Sequence, residues 1–236
     1  LGMGKNEAVL NETAKEWGID PKSEMYKLPA MYVGEYAEQD ADLTLKLWQE
    51  MKKLMRAEEV ESIFDVETEL FPCLVDMRFL GVRVDIQEAH SLKQKLVQEE
   101  KECLLQVQRE TGIEPQIWAA RSIEKVFQKL SLPFDRTEKT GAPSFTKNFL
   151  QNHPHKLVKL IARAREINKA HTTFIDTIIK YEHKGRIHAE INQLRSDQGG
   201  TVTGRFSYAN PNLQQIPARN KELGPRIRSL FIPEEG

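Results

Sequence analysis

The sequence contains three stretches in which apolar side chains recur every three or four positions for more than twenty residues. They run from Tyr32 to Val60, from Ile86 to Glu110 and from Lys156 to Tyr181. This spacing places the apolar side chains on one face of an α-helix, and the other positions are largely polar or charged. The alternation typical of strands is confined to a short stretch after Gly185. The sequence therefore predicts a mainly α-helical chain.

Local signals mark both ends of the second long stretch, and two shorter helical patterns lie elsewhere in the chain. Asp85 directly precedes the second long stretch and Gly112 follows it, as is typical of a helix N-cap and of a residue just beyond a helix C-terminus. A shorter pattern runs from Gly4 to Trp17. Another, from Glu67 to Leu80, is interrupted by Pro72, where we expect a kink.

The period changes after Gly185. Ile187, Ala189 and Ile191 alternate with polar residues, which predicts a β-strand. The last forty residues are rich in Gly, Asn, Pro and Gln, and we expect them to form loops as far as the apolar run 230–232. The polar segment 135–143 is predicted to be an exposed loop.

Composition argues against a disordered, collagen-like or membrane-spanning protein. With 39% hydrophobic residues the chain can form a core, and no apolar run approaches the roughly 20 residues of a membrane-spanning helix. Residues 1–120 contain 14 Lys and Arg against 24 Asp and Glu, whereas residues 121–236 contain 20 against 11. A basic half is typical of a polyanion-binding surface. Cys73 and Cys103 lack metal-binding spacing, which indicates a reducing compartment.

A tyrosine and an aspartate lie four residues apart in the first long stretch, so Tyr36 and Asp40 share one helix face. A carboxylate can bind a divalent metal ion, and a phenol one turn away can orient a water molecule that attacks a phosphorus atom near that ion. In a simpler interpretation Tyr36 packs inward and Asp40 is solvated. From the residues alone, both interpretations stand.

Residues 203–219 are a more specific candidate for a binding site. Gly204 lets the backbone approach a partner closely, and the guanidinium of Arg205 can donate to minor-groove acceptors that all base pairs offer. Asn212 and Gln214 can contact sugars, phosphates or base edges. The alternative is a surface loop that prolines stiffen and whose amides satisfy its own backbone.

This segment resembles the one that precedes the first catalytic motif of family A DNA polymerases, the DNA polymerase I class, whose pattern is close to TGRLSS-x-x-PNLQNIP-x-R. The matching positions are Thr203, Gly204, Arg205, Ser207, Pro211, Asn212, Leu213, Gln214, Ile216, Pro217 and Arg219. Phe206, Tyr208 and Gln215 depart from the pattern. Residues 35–44 resemble the third motif of the 3'-5' exonuclease domain in the same proteins, and segments 71–85, 141–144 and 165–176 resemble parts of the thumb.

The resemblance implies a fold and a domain organisation. Residues 1–62 would be the C-terminal helices of a ribonuclease-H-like 3'-5' exonuclease domain. Residues 63–184 would form the thumb, a long antiparallel helical structure with its connecting helices. Residues 185–236 would form the first strand and loop of the polymerase palm. The fold of this segment is therefore expected to be mainly α, within a parent protein of the α+β class.

The resemblance also implies roles for individual residues. Arg205 would donate into the minor groove at the primer terminus, and Asn212 and Gln214 would contact the template-primer. Arg219, Arg165 and Lys169 would also bind DNA, the last two through phosphates, although a solvated helix face is the simpler interpretation of that pair. In the exonuclease part, Asp40 would be a catalytic ligand of Mg²⁺ and Tyr36 would position the attacking water.

The activity implied is template-directed nucleotidyl transfer in DNA replication or repair, with an associated proofreading exonuclease. Its partners would be primer-template DNA and deoxynucleoside triphosphates, with Mg²⁺ as cofactor in the complete enzyme. The catalytic carboxylates of the polymerase pattern lie beyond the matching segments, so we expect the 236-residue polypeptide alone to be inactive. We expect a cytoplasmic location in a bacterial or virus-infected cell, with an organellar location left open.

Two other functions remain open at this point. One is a non-catalytic DNA-binding subunit of a split polymerase, in which a second polypeptide supplies the missing carboxylates. The other is a helical interaction module unrelated to DNA, which requires the match over residues 203–219 to be accidental.

Overall fold

The computed structural model describes Gly4, residues 6–195 and residues 199–234. The chain divides into two compact units, Leu1–Phe71 and Pro72–Gly236, and it is mainly helical, as predicted. The α-helices are α1 (Ala8–Trp17), α2 (Ala30–Ala57), α3 (Glu61–Leu80), α4 (Ile86–Thr111), α5 (Ala120–Lys129), α6 (Lys147–Asn152), α7 (Lys156–Lys169), α8 (Asp176–Tyr181) and α9 (Leu223–Arg228). The strands are β1 (Val82–Arg83), β2 (Asp135–Arg136), β3 (Pro143–Ser144), β4 (Glu182–His183), β5 (Arg186–Ile187), β6 (Glu190–Asn192) and β7 (Ser207–Ala209).

The helices near the N-terminus differ from the predicted ones at their ends. α1 begins at Ala8 rather than at Gly4, and Gly18 ends it in a left-handed conformation with φ 64°. α2 ends before Val60, because the chain turns at Glu59, whose φ is 56°. α3 begins six residues earlier than predicted, and its residue range continues through Pro72 without the predicted interruption. Within the described residues, no helix is long and apolar enough to cross a lipid bilayer.

The predicted caps of α4 are confirmed. The Asp85 side chain accepts a hydrogen bond from the backbone N–H of Glu88 at 2.9 Å, which satisfies a donor that the first helical turn leaves free. Gly112 takes φ 74° at the other end, a left-handed conformation that glycine adopts without steric cost. Each of these caps depends on residues within a few positions of the helix end, so both could be predicted from the sequence.

α4 packs against α7 in an antiparallel arrangement. Positions that advance along α4 contact positions that go back along the later helices: Lys93 with Asp176, Glu100 with Asn168, and Glu110 with Lys156. Residues of α4 and of the later helical segments share two hydrophobic clusters. The first contains Leu92, Leu96, Ile167, Ile175, Ile227 and Leu230, and the second contains Val107, Phe127, Phe145, Leu157 and Ile161.

The helix predicted from Lys156 to Tyr181 is not a continuous α-helix. A π-helical turn, Ala170–Ile175, separates α7 from α8. π-Helical turns insert a residue into the helical repeat, so the faces of α7 and α8 are offset from each other. The regular apolar spacing of the sequence does not reveal this insertion.

Short strands surround the end of this helical segment. β1, β5 and β4 form an antiparallel sheet in that order, and Phe231 forms an isolated bridge to Val84 beside β1. The strand predicted over residues 187–191 is divided between β5 and β6, and β6 pairs with β7 instead. The two parts of the pattern therefore belong to different sheets.

The prediction of loops in the last forty residues is wrong at α9. The Asn220 side chain accepts hydrogen bonds from the backbone N–H groups of Glu222 (3.0 Å) and Leu223 (2.8 Å), and so initiates the helix. Leu223 and Ile227 are buried on its inner face. Burial of these two side chains stabilises a helix that is too short to be evident from periodicity.

Candidate nucleic-acid interface

Residues 199–206 lead into β7 and expose Arg205. Gly204 has φ 69°, and no atom lies within 4 Å of where a Cβ would stand, so this glycine is required for conformation rather than for space. The Thr201 hydroxyl donates to the carbonyl oxygen of Arg205 at 2.6 Å. The Arg205 side chain is exposed and forms no hydrogen bond or ion pair with the residues that the structure describes. The backbone is thus held while the guanidinium faces solvent.

The two predicted amide side chains are partly used inside the loop. Asn212 Oδ1 accepts a hydrogen bond from the backbone N–H of Gln214 at 3.1 Å, and Gln214 Nε2 donates to the carbonyl oxygen of Phe206 at 3.1 Å. Both residues are exposed. The Nδ2 group of Asn212 and the Oε1 atom of Gln214 remain as a donor and an acceptor that a ligand can reach.

Side chains from α8 and β6 anchor this loop. Asn210 accepts a hydrogen bond from the hydroxyl of Tyr181 at 3.2 Å through Oδ1, and donates to Glu190 at 3.2 Å through Nδ2. Pro211 is buried. Between the loop and the π-helical turn lies a cleft of about 340 Å³, lined by Thr173, Phe174, Thr177, Tyr181, Asn212 and Leu213.

Arg165, predicted to bind a DNA phosphate, points into the protein. Its Nε donates to the carbonyl oxygen of Ile117 at 2.7 Å, and its Nη1 donates to that of Phe145 at 2.7 Å. The side chain is half-buried, and this burial lowers the pKa of Arg165. The guanidinium therefore connects two loops to α7, and its DNA-binding role stays a prediction.

Four exposed cations line three adjoining clefts beside α7. The clefts have volumes of about 290, 400 and 160 Å³, and all three are lined by Lys147 and Glu166. We call their exposed cations the basic cleft: Lys147, Lys169, Arg219 and Lys221. None of these cations forms an ion pair with another residue in the described part of the chain. Glu166 accepts a hydrogen bond from the amide of Gln151. The basic cleft thus presents a local excess of positive charge.

Two other arginines near the basic cleft are engaged internally. Arg226 donates to both carboxylate oxygens of Glu99, at 2.7 and 3.2 Å, and Arg163 pairs with Glu222 and lies 3.7 Å from Glu99. The hydrogen bonds from Arg226 lower the pKa of Glu99, and those to Glu99 raise the pKa of Arg226. This network connects α4, α7 and α9.

In the N-terminal unit, Tyr36 and Asp40 lie one turn apart on α2, as predicted, and both are half-buried. The backbone carbonyl of Asp40 accepts a hydrogen bond from the Thr44 hydroxyl at 2.7 Å. Over the described ranges, no three His, Cys, Asp or Glu side chains come together as a possible metal site.

Comparison with known proteins identifies the family. A family model described as DNA polymerase family A matches residues 86–236. The chain belongs to DNA polymerase family A. The matched region contains α4 to α9 and every residue of the basic cleft and of the loop from Arg205 to Arg219.

Relatives of this family A chain come from phages and bacteria. The DNA-directed DNA polymerase of Pseudomonas phage M6 is 33% identical over 243 residues, covering 99% of this chain and 36% of that protein. DNA polymerase DpoZ of Vibrio phage phiVC8 is 31% identical over 252 residues, covering 100% and 40%. The thermostable DNA polymerase I of Thermus aquaticus is 36% identical over 178 residues, covering 73% and 21%. The chain thus spans less than half the length of these relatives.

A solved structure shares the fold. The POL domain of Pol1 from M. smegmatis, in complex with DNA primer-template and dNTP, matches with a TM-score of 0.68 and 22% identity. The match covers 99% of this family A chain and 39% of that one. The mainly helical fold is therefore that of a Pol1 polymerase domain segment.

The structure brings some of the predicted residues together. Lys169 and Arg219 line neighbouring clefts that share Lys147, and Arg165 lies beneath them. Arg205 precedes β7 and Asn212 and Gln214 follow it, and the hydrogen bond from Gln214 to the carbonyl oxygen of Phe206 joins the two sides. Tyr36 and Asp40 belong to the other compact unit. The roles of all these residues stay predictions.

Neither Lys147 nor Lys221 was among the residues predicted from the sequence to bind DNA. Lys147 begins α6, a six-residue helix that periodicity cannot detect, and the Thr146 cap before it was the available signal. Lys221 lies two residues after Arg219, in the turn that leads to α9. A count of cations near the matched motif would have included it.

Enzymes of this family generally use divalent metal ions. In this chain Asp40 supplies at most one carboxylate, and the described residues place no two further carboxylate or imidazole groups beside it. Two-metal chemistry needs several such ligands. The described residues therefore do not by themselves fit a Mg²⁺ site.

Proposed function

We propose that this chain is the part of a DNA-directed DNA polymerase that binds the primer-template duplex. The whole protein catalyses template-directed nucleotidyl transfer from deoxynucleoside triphosphates. One observation carries the proposal: Arg205 and Arg219 are exposed at the two ends of segment 205–219, whose backbone is held by hydrogen bonds with the side chains of Asn212 and Gln214. A loop that is held in this way presents its cations without a large loss of conformational entropy on binding.

The two groups of cations have different tasks in this proposal. Arg205 donates to minor-groove acceptors, which lie at similar positions in all base pairs, so its contact is independent of sequence. The basic cleft binds phosphates, releases condensed counterions and so supplies most of the affinity. Asn212 and Gln214 add amide contacts to sugar or base edges next to Arg205.

The proposal assigns parts of the chain to polymerase subdomains. Residues 63–184 form the thumb and residues 185–236 form the entry to the palm. Residues 1–62 form the C-terminal part of a proofreading exonuclease. There Asp40 would supply one of several ligands to a metal ion and Tyr36 would orient a water molecule, although the described residues do not supply the other ligands. The four-residue spacing of Tyr36 and Asp40 on α2 supports this last assignment.

A binding assay with a matched control tests the proposal. Fluorescence anisotropy of a labelled primer-template duplex is measured with the wild-type chain, Arg205→Ala, Arg219→Ala and Arg56→Ala. Arg56 is an exposed arginine of α2 that pairs with Glu61, so its replacement removes a positive charge outside the proposed interface. We expect Arg205→Ala to weaken binding by about tenfold, equivalent to about 1.4 kcal/mol, and Arg56→Ala to leave binding unchanged.

Two results would contradict the proposal. One is a wild-type chain that does not bind the duplex, and the other is equal loss of affinity in Arg205→Ala and Arg56→Ala. A separate assay addresses activity: the isolated polypeptide is expected to extend no primer when Mg²⁺ and deoxynucleoside triphosphates are supplied, because the described residues assemble no cluster of carboxylates.

A further inference from the structure

Trp118 is exposed on the connection between α4 and α5. About 60% of its surface is accessible to solvent, although the preceding residue, Ile117, is buried. Burial of large aromatic side chains strongly stabilises proteins, so an exposed tryptophan forgoes a large gain in folding free energy. Its exposure is compatible with a role in binding.

The indole ring is held in one orientation. Its Nε1–H donates to Asn168 Oδ1 at 2.9 Å, and Asn168 in turn donates to Glu100 at 3.0 and 3.2 Å. The guanidinium of Arg165 lies 5.4 Å from the ring centroid, within the range of a cation–π contact. Arg165 is itself held by the carbonyl groups of Ile117 and Phe145. A ligand therefore meets an aromatic surface that is already ordered.

Cations surround the open side of this surface. Trp118 lines a cleft of about 290 Å³ together with Lys147, Lys169 and Arg165, and the one carboxylate in its lining is Glu166. This volume is close to the lower limit of typical ligand pockets, about 300 Å³. The Glu166 carboxylate accepts a hydrogen bond from Gln151, so one of its oxygen atoms is already engaged within the protein.

An exposed, ordered indole with cations beside it distinguishes between possible ligands. An apolar protein partner would require a rim of apolar side chains, whereas the exposed residues around the indole are polar: Lys147, Lys169 and Gln151. A DNA duplex keeps its bases stacked on each other and offers no free base face to an indole. An unpaired nucleotide presents both an aromatic face and adjacent phosphates, which match an aromatic ring flanked by cations.

We propose that Trp118, Lys147 and Lys169 form a binding site for single-stranded DNA. An unpaired base stacks on the indole of Trp118, and the ammonium groups of Lys147 and Lys169 bind the phosphates on either side. The inference rests on the proposed function, because it adds a single-strand site to a DNA-binding chain. An unpaired template or a separated primer end is the DNA that carries such bases.

Tryptophan fluorescence tests the site directly. In the chain with Trp17→Phe and Trp48→Phe, Trp118 is the remaining tryptophan. Titration with oligothymidylate is expected to quench its emission, since stacking of a base on the indole opens a path for quenching, and added salt is expected to reverse the effect. This experiment leaves Trp118 itself unchanged. An absence of quenching at oligonucleotide concentrations that saturate the chain would overturn the inference.

Substitutions at the site supply a second, independent measurement. Trp118→Ala is expected to weaken oligothymidylate binding by about tenfold, while Trp118→Phe, which keeps an aromatic face, recovers most of the affinity. Lys147→Gln is expected to weaken binding by roughly threefold and to reduce its salt dependence. Trp17→Ala, which removes an exposed tryptophan of α1, is the matched control and is expected to have no effect.

The duplex assay separates the two proposals. If the wild-type chain binds the duplex and Trp118→Ala leaves oligothymidylate binding unchanged, the single-strand site is wrong and the proposed function stands. If the chain binds neither DNA, both fail. We expect Trp118→Ala to change duplex affinity by less than about twofold, which distinguishes loss of the site from loss of the fold.

Discussion

Arg226 on α9 donates two hydrogen bonds to the carboxylate of Glu99 on α4, at 2.7 and 3.2 Å. This bidentate pair attaches the helix that follows the Arg205–Arg219 loop to the longest helix of the C-terminal unit. The distinction between structural and binding arginines follows from such contacts. Arg226, Arg163 and Arg165 hold the fold together, whereas Arg205 and Arg219 remain exposed.

Replacement of Glu99 by glutamine is expected to destabilise the chain by about 1 kcal/mol near neutral pH, because the ion pair is only partly shielded from solvent. Urea denaturation of the wild type and Glu99→Gln measures this difference. Glu102→Gln on the same helix, where the carboxylate has a hydrogen bond from Gln98, is the control with a smaller expected change.

The same pair predicts a dependence on pH. Because the hydrogen bonds from Arg226 lower the folded-state pKa of Glu99, the contribution of the pair is complete above the ordinary pKa of an unfolded glutamate and is lost as the pH falls through the folded-state pKa. The stability difference between wild type and Glu99→Gln should therefore disappear in acid. A difference that persists unchanged in acid would show that shape, rather than charge, explains the effect.

Removal of the α4 cap is expected to cost about 1 kcal/mol. In Asp85→Ala the backbone N–H of Glu88 loses its acceptor, whereas Asp85→Asn keeps a capping oxygen at the same position. Thermal or urea unfolding of both variants provides the measurement. Equal destabilisation by alanine and asparagine would mean that the negative charge at the helix N-terminus, not the cap itself, is what matters.

Replacement of Arg165 is expected to affect the stability of the chain more than its binding of DNA. Arg165→Lys keeps the charge but cannot donate to both Ile117 and Phe145, so we expect a loss of about 1 to 2 kcal/mol. Lys169→Gln, which replaces an exposed neighbouring cation, should leave stability unchanged. If Arg165→Lys unfolds like the wild type but binds duplex DNA less tightly, the phosphate contact is the main role of this side chain.

The sequence predicted features that depend on neighbouring residues. Asp85 and Gly112 delimit α4 because capping acts over three or four positions. The π-helical turn and α9 were not predicted. The turn lies in an uninterrupted apolar repeat, and α9 forms because Leu223 and Ile227 are buried against residues distant in the chain. The sheet pairing of residues 82–84 with 186–187 and 231 is also long-range.

At the candidate site, too, features that depend on neighbouring residues were predicted and features that depend on distant residues were not. The motif at residues 203–219 predicted which loop carries Arg205, and the structure exposes that side chain. The polar spacing of α7 placed Arg165 and Lys169 together on its solvent side, yet Arg165 turns inward. Its acceptors are 48 and 20 residues away in the chain, so no local pattern could reveal them.

Hydrogen exchange tests whether duplex binding reaches the exposed turn between β2 and β3. Within this turn the backbone N–H groups of Thr137 and Gly141 have acceptors at 2.8 and 2.9 Å, and the residues between them are exposed. We expect residues 138–140 to exchange rapidly in the free chain and more slowly with duplex bound. Unchanged exchange at saturating duplex would place this turn outside the interface.

The salt dependence of duplex binding tests the central claim most directly. If the four cations of the basic cleft each neutralise one phosphate, log Ka falls against log salt concentration with a slope of about −3.6. The double variant Lys169→Gln/Arg219→Gln should reduce the magnitude of this slope by about 2. A slope near zero, or one that the double variant leaves unchanged, would contradict the assignment of this surface to DNA.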